Sequence, residues 1–255
     1  MLYQTLWVSA VVSFSAMIVA ATNWSLQLNV ESGDRSFWRR SIGTFVPLVA
    51  LLIVLAVLLK SRQYADADAW LIRNLAETRS SGLVSVFTIV TTMGDVVPSL
   101  LIALGIGTWF YLTSRRTAVV LILPLLILIE LIVQFGVSAL SNDVTLSGLN
   151  SSLSIGAAGP LPSGSVARLF SVFVISSFLW PRTSRVGRGL PAVGAIAVLI
   201  ELTSRLYLGR HFVTDIAGGL VLGVLLVIIG IWSLRAIRYD AAGMTDVCVM
   251  DRPVG

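Results

Sequence analysis

Residues 204–234 read SRLYLGRHFVTDIAGGLVLGVLLVIIGIWSL, a polar segment that leads directly into a long apolar run. The apolar part, from Phe212 onwards, is long enough to cross a bilayer, which takes about 20 helical residues. The polar part contains the only histidine of the chain, His211, followed four residues later by Asp215. This segment therefore predicts a transmembrane helix that begins with a histidine and a carboxylate on one face of its first turn.

The rest of the chain repeats the apolar pattern. Hydrophobic residues make up 56% and charged residues 12% of the 255 residues, which is about half the charge of an average soluble domain. Stretches of spanning length lie at about 3–22, 41–59, 96–114, 118–140, 165–181, 187–205 and 212–234. We therefore predict an all-α, polytopic membrane helix bundle. The stretch 3–22 is interpreted as a retained helix, because residues 1–6 lack the positive charge of a signal peptide.

Positive charges cluster in loops that fall on one side of this bundle. The net charge of +5 is explained by orientation in the membrane, so we expect no nucleic-acid partner. The pattern predicts an external N-terminus and a cytoplasmic C-terminus. The excess of arginine over lysine indicates a GC-rich bacterial genome, so the membrane is predicted to be a bacterial cytoplasmic membrane. The charges that define this side are Arg35, Arg39, Arg40, Arg115, Arg116, Arg182, Arg185, Arg188, Arg235 and Arg238.

Two segments between the spans have features of their own. Residues 64–80 place Trp70, Leu71 and Leu75 on one stripe and charges on the other, which predicts an amphipathic helix lying in the membrane interface. Residues 141–164 contain no Lys or Arg and are rich in Ser, Gly and Asn. They predict an external loop that ends in a helix start, with Pro162 near the first turn and Ser163 as the cap.

The polar segment before the last span can perform chemistry. Asp215 can hold one ring nitrogen of His211 and leave the other free as a nucleophile. Arg205 offers a planar fork suited to phosphate oxygens, and a helix start favours an anion. The alternative is a solvated turn with a polar anchor. The single cysteine, Cys248, excludes a thiolate metal cluster.

These residues resemble a known family. Ser204-Arg205, five residues, His211, three residues and Asp215 resemble the third signature of the type 2 phosphatidic acid phosphatases, and Pro162-Ser163-Gly164 resembles the start of their second. The interfacial helix and the Thr-x-x-Gly-Asp turn at 91–95 are also similar, so that the resemblance covers residues 41–238. Residues 1–40, an extra transmembrane helix and loop, and the cytoplasmic tail 239–255 lie outside it.

The resemblance implies a six-helix membrane core with its active site on the external face. His211 would attack phosphorus and become a phosphohistidine, oriented by Asp215. Arg205, Ser163 and the Gly164 backbone would hold the phosphoryl oxygens of a lipid phosphate or diphosphate, such as phosphatidic acid, phosphatidylglycerophosphate or a polyprenyl diphosphate. The family requires no metal or other cofactor.

The chain departs from the family pattern in two places. The second signature normally ends in a histidine that protonates the leaving group, and position 165 is serine. Loss of a general acid costs about 10²–10⁴ in rate. The first signature supplies a Lys and an Arg, yet residues 117–167 contain neither. The hydroxyl of Ser165 and the guanidinium of Arg168 are further candidate phosphate ligands.

Buried charges near these positions allow two interpretations. Arg168 could replace a lost phosphate ligand, or else Arg168 or Arg205 pairs with Glu201 in a buried salt bridge; the second is favoured because an unpaired buried charge is costly. Glu130, deeper in the membrane, is either neutral and hydrogen-bonded or part of the same network.

Three functions follow from this pattern. The favoured one is a catalytically impaired or inactive relative that binds a lipid phosphate or diphosphate, or a membrane partner through residues 1–40 or the C-terminal tail. The alternative is an active phosphatase that uses His211 without a histidine acid and prefers diphosphates. A transporter has little support, because no pair of broken helices is evident.

Overall fold

The computed structural model describes residues 42–43, 45–53, 62–114, 118–140, 162–180 and 185–250, and the regular structure in these ranges is helical. The predicted helix at 3–22 and most of the predicted loop 141–164 lie outside these residues. A 3-10 turn, Thr92–Gly94, joins the third helix to the fourth. The helices are residues 45–53 (α1), Arg62–Glu77 (α2), Ser81–Thr91 (α3), Val96–Ser114 (α4), Ala118–Leu140 (α5), Gly164–Leu179 (α6), Arg185–Tyr207 (α7) and Val213–Met250 (α8).

Four of the described helices are long and apolar enough to cross a membrane. They contain the candidate spans Val96–Thr113, Val120–Val137, Arg185–Tyr207 and Val213–Leu234, which coincide with four of the predicted stretches. Two shorter apolar helical segments, Ser81–Gly94 and Gly164–Leu179, accompany them. The prediction of an all-α membrane bundle is confirmed.

Helix α8 forms the centre of the bundle. Its span is 83% buried inside the protein, against 17–28% for the other three. Two glycines one turn apart allow α6 to approach it closely: a Cβ on Gly219 would lie 2.5 Å from the carbonyl oxygen of Ser163, and one on Gly223 would lie 2.8 Å from Phe170. The Gly219-x-x-x-Gly223 pattern therefore serves helix packing within the chain.

The outer helices present apolar side chains to their surroundings. Leu101 on α4, Leu121 and Phe135 on α5, and Leu199 on α7 are 60–75% exposed. On helices long enough to cross a membrane, such exposed apolar side chains face lipid. Their exposure costs no free energy there, because lipid tails are as apolar as the side chains. The core lies between these helices and α8, and α1 closes it through Leu48, Leu52 and a ring contact of Phe45 with Trp232 on α8.

Helix α2 is the predicted amphipathic helix, but its buried face differs from the predicted stripe. Asp68, Ala69 and Ile72 are fully buried, whereas Trp70 and Leu71 are half-buried. Asp68 was expected on the solvated face. It is buried because the Thr214 hydroxyl, at the start of α8, donates a hydrogen bond to its carboxylate, a long-range contact that periodicity does not reveal.

The last helix is longer than the predicted span. It continues to Met250, through residues assigned from the sequence to a tail at 239–255. Hydropathy marks where a helix leaves the membrane rather than where it ends, and the alanines at 241 and 242 favour continued helix.

Candidate active site

The turn between α7 and α8 sets the position of His211. Gly209 has a φ of 67°. Its N–H donates to the Leu206 carbonyl, and the N–H of Arg210 donates to the Arg205 carbonyl, both at 3.0 Å. These two bonds form a Schellman motif, in which glycine adopts the left-handed conformation without steric cost. Helix α7 therefore ends abruptly, and His211 lies just before the first turn of α8.

His211 and Asp215 face each other at this first turn. Nδ1 of His211 lies 3.5 Å from Oδ2 of Asp215, and the side chains are 4% and 6% exposed. At this distance the contact is electrostatic rather than a hydrogen bond, and Nδ1 has no hydrogen-bond partner. Oδ2 also accepts the N–H of Phe212 at 2.9 Å. The two residues of the predicted pair therefore lie side by side, without a hydrogen bond between them.

The start of α6 lies against the start of α8. The N–H of Ser163 donates to the carbonyl of Asp215 at 2.9 Å, which places Ser163, Gly164 and Ser165 beside the histidine turn. Ser163 occupies the predicted cap position, but its side chain makes no capping bond. Its hydroxyl instead lies 3.4 Å from that of Ser165. The unpaired backbone N–H groups of such a helix start favour an anion.

Arg205 reaches the same region but is engaged by carboxylates of the protein. Its Nε donates to Oε1 of Glu201 at 2.7 Å, and its Nη2 donates to Oδ1 of Asp95 at 2.9 Å. Nη2 also donates to the carbonyl of Thr91 at 3.1 Å. Glu201 is buried, whereas the Asp95 side chain is 51% exposed. The salt bridge between Arg205 and Glu201 is one of the pairings left open by the sequence.

Arg168 forms a second buried ion pair. Its Nη1 donates to Oε2 of Glu130 at 2.6 Å, while Nε and Nη2 donate to the carbonyl of Gly94 at 3.2 and 3.0 Å. All three guanidinium nitrogens therefore have a protein partner. Glu130 belongs to an ion pair rather than standing alone as a neutral acid. Its partner is Arg168, which the sequence had paired with Glu201 or with phosphate.

Glycine at position 94 brings the two ion pairs together. A Cβ there would lie 2.7 Å from both Cδ of Glu201 and Cβ of Ser165, while its carbonyl accepts from Arg168. The 3-10 turn thus fits between α6 and α7 only because residue 94 has no side chain. On the other side of α6, Gln134 donates to the carbonyl of Pro162 at 3.1 Å. The resemblance described above predicts Gln134, by spacing, at the position of the lysine of the first signature.

Sequence reasoning missed two acidic residues of this site. Asp95 lay in a motif noted only for its resemblance, and no periodicity indicates that it contacts Arg205, which is 110 residues away. Asp68 was assigned to the polar face of α2. The Thr-x-x-Gly-Asp sequence was the available signal for the first, whereas no sequence signal marked the second.

The rim of the site carries two further arginines. Burial lowers the pKa of Arg210, and the like charge of Arg205 lowers it further. Burial also lowers the pKa of Arg79, whose Nε donates to the carbonyl of Tyr207 at 2.7 Å. Arg210 is therefore a partly desolvated cation within electrostatic reach of the acidic side chain of Asp95.

Asp68 lies behind the dyad. Burial raises its pKa to about 7, and the nearby charge of Asp215 contributes to the increase. Within the described ranges, no three histidine, cysteine or acidic side chains are grouped so that they could hold a metal ion.

Residues 141–239 match the PAP2 superfamily. The chain therefore carries a PAP2 superfamily domain over these residues. It is similar to phosphatidylglycerophosphatase B of Bacillus subtilis (strain 168), with 29% identity over 194 residues, which are 71% of this chain and 90% of the relative. Arg205, His211, Asp215 and residues 163–165 all lie within the stretch 141–239 that matches the superfamily.

The fold is also that of a solved PAP2 structure. The crystal structure of the first transmembrane PAP2-type phosphatidylglycerolphosphate phosphatase, from Bacillus subtilis, superposes with a TM-score of 0.61. The two chains are 21% identical, and the match covers 73% of this chain and 93% of the other. The protein is therefore an integral membrane protein with the PAP2 fold.

Proposed function

We propose that this PAP2 protein binds the phosphate or diphosphate head group of a membrane lipid at the external face of the cytoplasmic membrane, and that its phosphoryl transfer is impaired. One observation carries the proposal: both arginines of the site, Arg205 and Arg168, form ion pairs with carboxylates of the chain itself. A phosphoryl group in transfer would meet cations whose charge is already balanced.

The size of the expected deficit follows from the missing groups. A preorganised cation or donor that stabilises the transition state is worth about 10²–10³ in rate, and a general acid about 10²–10⁴. Neither Ser165 nor Gln134 supplies these functions, since a serine hydroxyl is too weak an acid and an amide carries no charge. The combined loss is on the order of 10⁴ or more relative to a complete site.

Binding is less affected than transfer. The start of α6 is bonded to Asp215 through the Ser163 N–H, and the turn that holds His211 is bonded to Arg205 through the Arg210 N–H. The Asp95 side chain is half-exposed. An anion can compete with a solvent-exposed partner at modest cost. The relatives are named for phosphatidylglycerophosphate, which favours this lipid among the predicted head groups, beside phosphatidic acid and polyprenyl diphosphates.

An active phosphatase is the second candidate, and the assembled dyad favours it. The Asp215 carboxylate still lies beside His211. The N–H of Ser163 donates to the backbone carbonyl of Asp215 and so holds that residue in place. Turnover would then be limited to leaving groups that need no proton, such as the inorganic phosphate or phosphomonoester expelled from a diphosphate.

Phosphate release by the purified protein in detergent tests the proposal. The substrates are a polyprenyl diphosphate, phosphatidic acid and phosphatidylglycerophosphate, and His211→Ala is the matched inactive control. The proposal expects wild type and His211→Ala to release phosphate at the same background rate. Release by wild type that His211→Ala abolishes would establish the active alternative instead. A Ser165→His arm shows whether a histidine acid alone restores turnover.

A protein partner that docks on residues 1–40 or on the tail stays a prediction. Co-purification of the full chain with a second membrane protein, lost when residues 1–40 are deleted, would support it.

A further inference from the structure

The half-exposed ion pair between Arg205 and Asp95 suggests how a head group enters the site. Arg205 has two acidic partners of different character: Glu201 is fully buried, and the Asp95 side chain is 51% exposed. Glu201 is held further by the hydroxyl of Thr91, 3.3 Å from Oε1. Only Asp95 can turn into solvent and free Nη2 without leaving a buried charge unpaired.

Asp95 is placed on a backbone that allows this movement. Its N–H donates to the Thr92 carbonyl and its own carbonyl accepts from Ser99, both at 3.0 Å. These bonds hold the main chain between the 3-10 turn and α4. The Oδ1 contact with Arg205 is the one side-chain bond recorded for Asp95 among the described residues. Displacement of the carboxylate therefore leaves the turn intact.

A second cation lies on the same rim. Arg210 directly precedes His211, and its backbone is fixed to Arg205 by a hydrogen bond of 3.0 Å. Its side chain is half-buried and lies within electrostatic reach of Arg205, Asp95 and Glu201. Arg205 and Arg210 thus approach Asp95 from one chain segment, beside the nucleophile. A guanidinium at each position suits the oxygens of a phosphate group.

We infer that Arg205 and Arg210 form the anion site of this protein, that Asp95 occupies it in the free state, and that the phosphate of a lipid head group enters by displacing Asp95. The inference rests on the proposed head-group binding. It adds the two arginines that bind the phosphate and the carboxylate, Asp95, that competes with the phosphate for them. Arg210 lies within the segment that resembles the third signature. Its positive charge would then replace charge that is missing from the first signature. No covalent step is involved.

Binding of a non-hydrolysable lipid tests the inference. The probe is the phosphonate analogue of a short-chain phosphatidic acid, titrated against the detergent-purified full chain at low and high salt. Asp95→Asn removes the competitor's charge and keeps its shape, and we expect about fivefold tighter binding. Arg210→Gln is expected to weaken binding about fivefold. Both effects are expected to shrink as salt screens the half-exposed charges.

Matched controls separate local from general electrostatics. Glu77→Gln removes an exposed acid at the end of α2, and Arg188→Gln removes an exposed arginine at the opposite end of α7, roughly 25 Å from Arg205 along the helix. Neither is expected to change the dissociation constant. Effects of these controls as large as those of Asp95→Asn and Arg210→Gln would overturn the inference.

The outcomes also separate the inference from the proposed function. If no protein, including Asp95→Asn, binds the probe, the head-group function itself is wrong. If wild type binds, Arg205→Gln abolishes binding and Asp95→Asn leaves it unchanged, the competitor role is overturned while the function stands. Inorganic phosphate serves as a competitor: displacement of the probe at similar concentrations would identify free phosphate, rather than a lipid, as the ligand.

Discussion

Glutamate at positions 130 and 201 defines the chemistry of this site at the scale of single residues. Each glutamate forms a buried salt bridge with one arginine, at 2.6 and 2.7 Å. The sequence showed that two signature cations were missing and that buried acids lay nearby. It could not show which acid meets which arginine, because the choice depends on where the 3-10 turn enters the bundle. Gly94, which lets the turn enter, has no periodic signal.

The pair Arg168–Glu130 is expected to behave as a unit. Arg168→Met or Glu130→Leu alone leaves one buried charge without its partner, which costs about 3–5 kcal/mol of stability. The double variant removes both charges and is expected to recover most of this loss. Unfolding in mixed micelles, arranged as a double-mutant cycle, measures the coupling. Additive single effects would show that the two residues do not stabilise each other.

At the scale of elements, the amphipathic helix α2 supports the start of α8. Asp68 of α2 is buried against Thr214, while Leu71 packs with Val213 and Ala217 of α8. The sequence predicted that α2 exists and is amphipathic, since this depends on local periodicity. Its true buried face could not be predicted, because a carboxylate can be buried where a helix start offers N–H and hydroxyl donors.

This contact predicts a pH-dependent stability. The folded state raises the pKa of Asp68 from 3.8 to about 7, so the folded protein holds this proton more tightly than the unfolded chain. Stability is therefore greatest below the unfolded value and falls as pH rises from about 4 to about 7, by a few kcal/mol. Asp68→Asn carries no such charge and is expected to remove this part of the dependence.

The measurement is the unfolding midpoint of wild type and Asp68→Asn in detergent between pH 4.5 and 8. The two curves are expected to diverge as pH increases, with the variant more stable at pH 8. Asp66→Asn, on the same helix, is the matched control. Parallel curves for wild type and Asp68→Asn would contradict a buried, proton-binding Asp68.

At the scale of the whole molecule, the fold was largely readable from the sequence. Apolar stretches of spanning length define membrane helices because the bilayer leaves no alternative for backbone hydrogen bonds. The segment around His211 and the Pro162-Ser163-Gly164 run could be assigned to one site from their motifs. The order of packing around α8, and the entry of Asp95 into the site, required the three-dimensional structure.

The predicted orientation can be checked with the natural cysteine. Cys248 is the only cysteine and is predicted to be cytoplasmic, so a membrane-impermeant maleimide should label it only after intact cells are permeabilised. Ser151→Cys in a Cys248→Ser background, in the predicted external loop, should label without permeabilisation. The reverse pattern would place the site on the cytoplasmic face.

The central claim is that this site binds a phosphate while its phosphoryl transfer is severely impaired, and trapping of phosphohistidine tests that claim most directly. The full chain is mixed with phosphatidic acid carrying a radiolabelled phosphate, quenched in alkali and digested, with His211→Ala alongside. Because His211 is the only histidine, any phosphohistidine must be located there. The account predicts no label above that of His211→Ala. Phosphohistidine that forms in wild type and decays to inorganic phosphate would contradict it.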